Sequence, residues 1–398
     1  MNSETNNVKG FNTFDIHESL QLAITKLGFE RPTPIQAGSI PVALEGRDVL
    51  GCAGTGTGKT AAFAIPVIHD LLKNESKSAI VIAPTRELAT QIAKVFESLL
   101  VTSKRSSLRV ALLIGGESME RQIRVLRGHP RIIVGTPGRI NDHLRRRRFQ
   151  PRFFQTVVLD EADRMLDMGF EPQIREIITA LPERRQTHMF SATFPSAIRH
   201  MADRYQTNPV FVDVRAKTDA KSEKSSILQL VSPVVPSQKQ DQLINELSSR
   251  DGTVIVFVAT KRKTDQLARV LSDIGHSVAL IHGGRSQAQR NRAIEGFRAG
   301  KHRILVATDV ASRGIDIPHV AHVINFDLPQ CADDYIHRIG RTGRAGAKGN
   351  AVCFVARAEV SKWRDIVKLG VGAPALEGMP AGDSKNVKRP QEIGRAHV

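Results

Sequence analysis

The chain has 398 residues, with 57 Lys and Arg against 40 Asp and Glu and a formal charge of +17. That length exceeds one ordinary domain and suits two of about 150–200 residues each. A composition of 41% hydrophobic and 24% charged residues excludes a largely disordered chain, and no apolar run is long enough to cross a bilayer. The polar start, Met1 to Asn7, has no apolar signal core. Cys52, Cys331 and Cys353 have neither metal-ligand spacing nor the pattern of a disulfide framework, so a reducing, cytoplasmic location is expected. The basic excess points to a polyanionic partner, nucleic acid before an anionic membrane surface. It is spread along the chain: residues 1–209 hold 28 basic and 21 acidic side chains, residues 210–398 hold 29 and 19. A basic surface shared by both halves explains that spread, and so does a merely soluble basic surface.

In chain order, short β-rich apolar runs predict strands at Asp48–Cys52, Ala79–Ala83, Val110–Ile114, Ile132–Val134, Thr156–Leu159 and Thr187–Phe190. The second half repeats the pattern at Thr253–Val258, Ser277–Ile281, Arg303–Ala307, His322–Phe326 and Ala351–Val355. Near-continuous Val, Ile and Leu runs separated by helical stretches predict parallel sheets covered on both faces, an α/β doubly wound architecture present twice. Between the halves, the polar stretch from Val214 to Ser226 reads as a linker. The one dense charge run, Arg145 to Arg148, reads first as a solvated helix end and second as a binding site. The segment after about Val371 is rich in Gly, Pro and Ala and reads as an irregular tail. Its last seven residues, Glu392 to Val398, back-translate to a common adapter sequence and are expected to be a read-through artefact.

Two motifs carry chemistry by themselves. Ala53-Gly54-Thr55-Gly56-Thr57-Gly58-Lys59-Thr60 lies between a predicted strand and a helix, the context of a phosphate-binding loop. Small residues let backbone N–H groups approach phosphates, and the helix N-terminus favours negative charge. Lys59 is expected on the β- and γ-phosphates and Thr60 on Mg²⁺. A glycine-rich loop without a nucleotide is the bland alternative, and Ala53 replaces the usual first glycine. At the carboxyl end of the strand Thr156–Leu159 stand Asp160, Glu161 and Asp163. Asp160 can hold the Mg²⁺ shell and Glu161 can deprotonate an attacking water. An acidic helix start is the competing reading of those carboxylates alone.

Asp160-Glu161-Ala162-Asp163 resembles the signature of the DEAD-box ATP-dependent RNA helicases of helicase superfamily 2. Other stretches resemble that family's motifs in their usual order. Phe29 to Gln36 looks like its Q motif, with Phe14 as the upstream aromatic. Pro84 to Leu88, Gly115-Gly116 and Thr136 to Arg139 look like its first-domain RNA motifs. Ser191-Ala192-Thr193 looks like motif III. Phe257 to Thr260, Gln287 with Arg290, Ala307 to Asp316 and His337 to Arg344 look like the later motifs. The likeness covers about residues 12–370. Gly54 stands where the family often has Gln, and the residues around motif IV vary. The wording from Arg164 to Phe170 is similar to bacterial members of the RhlE type.

The resemblance implies two tandem RecA-like domains joined by a flexible linker. Their expected boundaries are 1–213 for the ATP-binding domain, 214–226 for the linker, 227–371 for the second domain and 372–398 for the tail. It implies that Gln36 reads the adenine edge, Phe29 stacks on the base, and Gly56, Gly58, Lys59 and Thr60 hold the phosphates. Asp316 is implied to hold the ribose, and Arg341 and Arg344 to meet the γ-phosphate. Ser191, Thr193 and His337 are implied to couple the ATP and RNA sites. RNA contacts are implied for Arg86, Gly116, Thr136, Gly138 and Arg139, and for Thr260, Gly283 and Thr308. Such contacts touch backbone, so binding is expected to be tolerant of sequence and sensitive to salt. The implied protein is a monomer that uses ATP and Mg²⁺ to unwind short RNA duplexes, with ribonucleoprotein or RNA-decay partners and no membrane. An ATP-gated RNA clamp with little unwinding and a DNA-directed superfamily 2 motor are the alternatives.

Overall fold

The computed structural model describes residues 10–54, 56–102, 108–214, 227–309, 320–343 and 348–368. The chain divides into two compact units. Residues 215–226 of the expected linker, the tail, Asp316 and Arg344 lie outside the described residues.

The first unit is built on strands β1 (Val49–Cys52), β2 (Ser78–Ile82), β3 (Val110–Leu113), β4 (Ile132–Gly135), β5 (Phe154–Leu159), β6 (Gln186–Ser191) and β7 (Val210–Asp213). They form one sheet in the order β3-β4-β2-β5-β6-β1-β7, with every neighbouring pair parallel. Successive side chains point to opposite faces, so a fully buried strand needs an apolar residue at each position. Ala79 and Val81 of β2 accordingly pack on α1 (Glu18–Lys26), α2 (Pro34–Leu44), α3 (Lys59–Lys73) and α4 (Arg86–Leu100). Ile80 and Ile82 pack on the other face. There they meet α5 (Met119–Leu126), α6 (Pro137–Arg145), α7 (Ala162–Asp167), α8 (Glu171–Ala180) and α9 (Ser196–Tyr205).

The second unit repeats the plan with β8 (Ile227–Val234), β9 (Val254–Phe257), β10 (Val278–Ile281), β11 (Ile304–Ala307), β12 (His322–Asn325) and β13 (Gly349–Ala356). Their order is β10-β11-β9-β12-β13-β8, again all parallel. Its helices are α10 (Lys239–Ser248), α11 (Lys261–Asp273), α12 (Gln287–Arg298), α13 (Ala332–Ile339) and α14 (Val360–Lys368). Equivalent arginines brace the two sheets. Arg131, just before β4, donates to the carbonyls of Lys77 at 2.8 Å and Leu71 at 2.8 Å. Arg303, just before β11, donates to those of Gly252 at 3.1 Å and Leu247 at 2.8 Å.

The eleven predicted runs each coincide with a strand, but β7 and β8 were not expected. Both are edge strands. β8 lacks the continuous apolar run, interrupted by Gln229, Ser232 and Pro233, and β7 keeps only the short run Val210 to Val212; one side of each is half open, with Phe211, Leu228 and Leu230 exposed. An edge also tolerates Pro233, which cannot donate to a central ladder.

Several polar residues are nevertheless buried on the strands, among them Thr156, Thr187, His188 and Asn325. His188 of β6 is 1% exposed, and neither ring nitrogen has a hydrogen-bond partner. Burial alone pushes its pKa down from 6.5 to about 4. The folded protein therefore keeps this ring neutral, whereas the unfolded chain binds a proton below about pH 6.5. Stability is present above that pH and is lost as pH falls toward 4. His188→Met is expected to stabilise the fold at every pH by relieving two unsatisfied nitrogens. A further gain of about 2 kcal/mol should appear at pH 5 relative to pH 7.5. Denaturant titrations at the two pH values measure both terms; equal gains at both would show that the ring does not titrate as its burial requires.

Candidate functional site

Parallel strands bring all carboxyl ends to one edge of a sheet, and the helices that follow start there. In the first unit, β5, β6 and β1 are neighbours. Asp160, Ser191 and Ala53 therefore stand side by side although they are far apart in the chain. The Ala53 N–H donates to the Ser191 carbonyl at 3.0 Å.

The loop after β1 turns on Gly56 and Gly58, whose φ values are +78° and +90°. Those angles strain any residue with a Cβ. At Gly58 a Cβ would also strike Nε2 of Gln36. Gln36 sits in the first turn of α2, where Thr33 precedes Pro34 as the N-terminal residues of the helix. Its Oε1 accepts from the Thr33 N–H at 2.9 Å and its Nε2 donates to the Gly58 carbonyl at 3.0 Å. Gln36 is thus clamped to the loop it was expected to serve. An amide has a second lone pair and a second proton, which stay available to a base edge. Phe29 is 37% exposed, and the ring packed beside it is Phe11, at 6.1 Å, with Phe14 edge-on to Phe11. The upstream aromatic nearest Phe29 is therefore Phe11 rather than Phe14.

Lys59 opens α3 and is 8% exposed, with Nζ donating to the Ala53 carbonyl at 2.8 Å. Thr60 follows it, half-buried. Asp160 is 2% exposed. Burial pushes its carboxyl up to about 7, against the opposing pull of Lys59 and with a further push from Glu161. Glu161 has φ +51°, one of four non-glycine residues at positive φ among those described. The bend lets the chain leave β5 and turn at once into α7, with Glu161 at the corner. Asp163 reaches the neighbouring strand end. Its Oδ2 accepts from Ala192 N at 3.1 Å, Thr193 N at 2.9 Å and Thr193 Oγ1 at 2.9 Å. Burial raises the Asp163 pKa, but the Thr193 bonds, together with Ser191 and the charge of Lys59, outweigh it, and the carboxyl stays below its ordinary value. That carboxylate lock was not anticipated; its signal in the sequence is only the pair of motifs, not their contact.

On the other side of the same edge β2, β4 and β3 are neighbours, and they gather the remaining expected residues of this unit. Arg86 is the first residue of α4, and its guanidinium lies against Gly115 and Gly116, where any Cβ would collide with it. Thr136 caps α6, and Gly138 in the first turn is exposed with open space around it. Arg139 is less available than expected. It donates to the Glu117 carbonyl at 3.2 Å and lies 3.6 Å from Asp142.

In the second unit Thr260, Gly283 and Thr308 follow β9, β10 and β11, three adjacent strands. Thr260 is an exposed N-cap whose hydroxyl accepts from Lys263 N at 3.2 Å. Thr308 is buried, and the stem of Lys261 passes over Gly283. His337 is half-buried in the last turn of α13, and Arg341 just after it is 7% exposed. Sequence reasoning overlooked Arg338. It is 2% exposed, pairs with both oxygens of Asp309 at 2.6 and 2.7 Å, and donates to Asn325 Oδ1 at 2.9 Å. Among the described residues no cluster of three or more His, Cys, Asp or Glu is placed to hold a metal ion, and no helix is long and apolar enough to cross a membrane.

Residues 33–201 match the family model "DEAD/DEAH box helicase", and residues 238–346 match "Helicase conserved C-terminal domain". The DEAD-box ATP-dependent RNA helicase CshA of Bacillus cereus is 46% identical over 358 residues, 89% of this chain and 67% of that relative. The chain belongs to the DEAD-box ATP-dependent RNA helicases. It is an ATP-hydrolysing enzyme of that family. CshA of Bacillus subtilis is 45% identical, over 89% of this helicase and 71% of the relative. The solved structure of S. cerevisiae Dbp5 bound to RNA and ADP BeF3 shares 32% identity over 93% of this chain and 94% of that one, with a TM-score of 0.79. Mss116p bound to ssRNA and AMP-PNP shares 28% identity over 89% and 75%, also with a TM-score of 0.79. Both units of the helicase therefore carry the RecA-like fold.

Proposed function

We propose that this helicase couples RNA binding to ATP hydrolysis through the residues gathered at the strand ends, acting as a monomer in the cytoplasm. The observation that carries the reading is the side-by-side placement of Lys59, Asp160 and the Asp163–Thr193 lock on three adjacent strands. The domains follow the boundaries given above. Phe29 and Gln36 take the base, and Gly56, Gly58, Lys59 and Thr60 cradle the phosphates. Asp316 takes the ribose hydroxyls. Glu161 accepts the proton of the attacking water, and Arg341 and Arg344 stabilise the charge that develops on the γ-phosphate. Mg²⁺, when bound, neutralises phosphate charge. The buried Asp160 carboxyl and the Thr60 hydroxyl fit it, because this ion takes one or two carboxylates and otherwise water and phosphate oxygens.

Arg86, Gly116, Thr136, Gly138 and Arg139 form the RNA edge of the first unit, and Thr260, Gly283 and Thr308 that of the second. Asp163 joins the two functions. It ties the acidic motif to Thr193, so a shift at one is felt at the other. His337 serves the same coupling. Binding of ATP and RNA together then favours a locally strand-separated RNA.

Steady-state ATP hydrolysis with and without single-stranded RNA tests the reading, with single-stranded DNA beside it. Stimulation by RNA of at least about tenfold, and little by DNA, is expected. Equal stimulation by DNA would favour a DNA motor, and stimulation without separation of a short duplex would favour a clamp.

A further inference from the structure

The arginine run at 145–148 has no part in the chemistry described so far. Arg145 is neutralised, with its guanidinium on both oxygens of Glu176 at 2.6 Å each. Arg146, Arg147 and Arg148 are exposed, and among the described residues none has a carboxylate within ion-pair distance. They are held in place by their backbone. α6 ends in a Schellman arrangement, with Arg147 N donating to Leu144 O at 2.9 Å and Arg148 N to His143 O at 3.0 Å. Phe149 then packs edge-on against Phe154 at 5.4 Å. A few residues on, the Arg152 guanidinium lies 4.9 Å above the ring of Phe153, which is 43% exposed.

The Schellman position decides between the two readings of the run. Arg147 has φ +52°, the left-handed region where Gly costs nothing and Asn little. A run that merely solvates a helix end, or complements its dipole, has no use for an arginine at that strained position, because Arg145 and Arg146 already stand at the last carbonyls. Strain kept where a cheaper residue fits points to a role for the side chain. The local field is strongly positive. Buried His143 is held down to about 4, first by burial and then by Arg139, with Arg146 and Arg148 adding to the effect against Asp142.

We propose that Arg146, Arg147, Arg148 and Arg152, with the exposed ring of Phe153, form a second RNA-binding surface on the first unit. Guanidinium groups pair with successive backbone phosphates, and Phe153 with its overlying Arg152 offers a base a stacking face. An anionic lipid surface would suit the arginines but not a single aromatic ring on a polar rim. The surface lies about 14 Å along α6 from Thr136 and Gly138, one helix length of nine residues. It therefore receives the strand that continues beyond the core contacts. The inference rests on the RNA reading of the core site and extends it to longer RNA.

The test is the triple variant Arg146→Gln, Arg147→Gly, Arg148→Gln of the full chain, compared with the parent on RNAs of about 8 and about 25 nucleotides at several salt concentrations. The long RNA should bind about tenfold more weakly, and the slope of log affinity against log salt should fall by about 2, three phosphates lost from a single strand. Affinity for the short RNA and ATP turnover stimulated by it should not change. Arg147→Gly alone should raise the unfolding midpoint by about 2–4 °C while weakening long RNA. That pairing of gained stability and lost binding is not produced by a structural role. Unchanged long-RNA binding, or equal loss on both RNAs, overturns the proposal. So does binding of phosphatidylserine vesicles, rather than RNA, that depends on these arginines. Failure of the parent to respond to short RNA would instead refute the core function, and salt-dependent binding of long RNA would still judge this surface.

Discussion

Glu161→Gln is expected to lower RNA-stimulated ATP turnover by about 10²–10⁴-fold, the usual contribution of a positioned general base. Binding of ATP and RNA should stay within about threefold of the parent, because the amide keeps the shape and loses only the ability to accept a proton. The fold argues for the side chain's role. The backbone at Glu161 is held at φ +51°, two residues past the end of β5 at Leu159 and directly before a helix that begins at Ala162. Strained positions of this kind persist where the surrounding structure enforces them and gather at functional sites. Single-turnover hydrolysis, with separate titrations of ATP and RNA, checks the split between binding and chemistry. A variant that retains near-parental turnover would remove Glu161 from the reaction; one that loses RNA binding instead would make it a structural corner.

Lys59→Ala is expected to weaken ATP binding and to cut turnover by about 10²–10³-fold. Lys59 is the buried cation of the loop. It is placed by the first turn of α3 and donates to the carbonyl of Ala53. A phosphate oxygen is a better acceptor than that carbonyl, because it carries a negative charge that pairs with the ammonium where the carbonyl offers only a dipole. The lysine exchanges one for the other without leaving the loop. Its removal leaves Asp160 buried with one cation fewer. The variant's unfolding curve should therefore be recorded beside its ATP titration, so that lost binding is read against an intact fold. Unimpaired ATP affinity in a folded variant would contradict the phosphate role of the loop.

The chemistry-bearing residues of the ATP site were legible as short strings because each string serves one local geometry. Positive-φ glycines must be glycines, a helix N-terminus needs its cap, and a phosphate loop needs its lysine within the same turn. The central strands were legible for a related reason: burial on both faces demands an unbroken apolar run, as in Ala79 to Ile82. The edge strands β7 and β8 escaped notice because half-exposure relaxes that demand. Phe11 beside Phe29 and the clamp of Gln36 on Gly58 were out of reach because they depend on where α2 packs against the loop. The bracing pair Arg131 and Arg303 was equally hidden. An arginine before a strand is unremarked in sequence, and only the neighbouring helix ends and loops show what its guanidinium reaches.

The sequence alone determined the family's motifs, their order, the division into two α/β halves and the residue types at the ATP site. Those properties rest on contacts within a few residues, or on a burial pattern that each strand must satisfy by itself. Tertiary structure alone decided which motifs touch. The strand order β3-β4-β2-β5-β6-β1-β7 sets Asp160 beside Ser191 and Ala53, and Arg86 beside Gly116. It likewise lets Asp163 fasten Thr193, thirty positions away. Hydrogen bonds of that range are made only after the crossover helices have fixed the order of the parallel strands, and no local pattern of residues encodes that order.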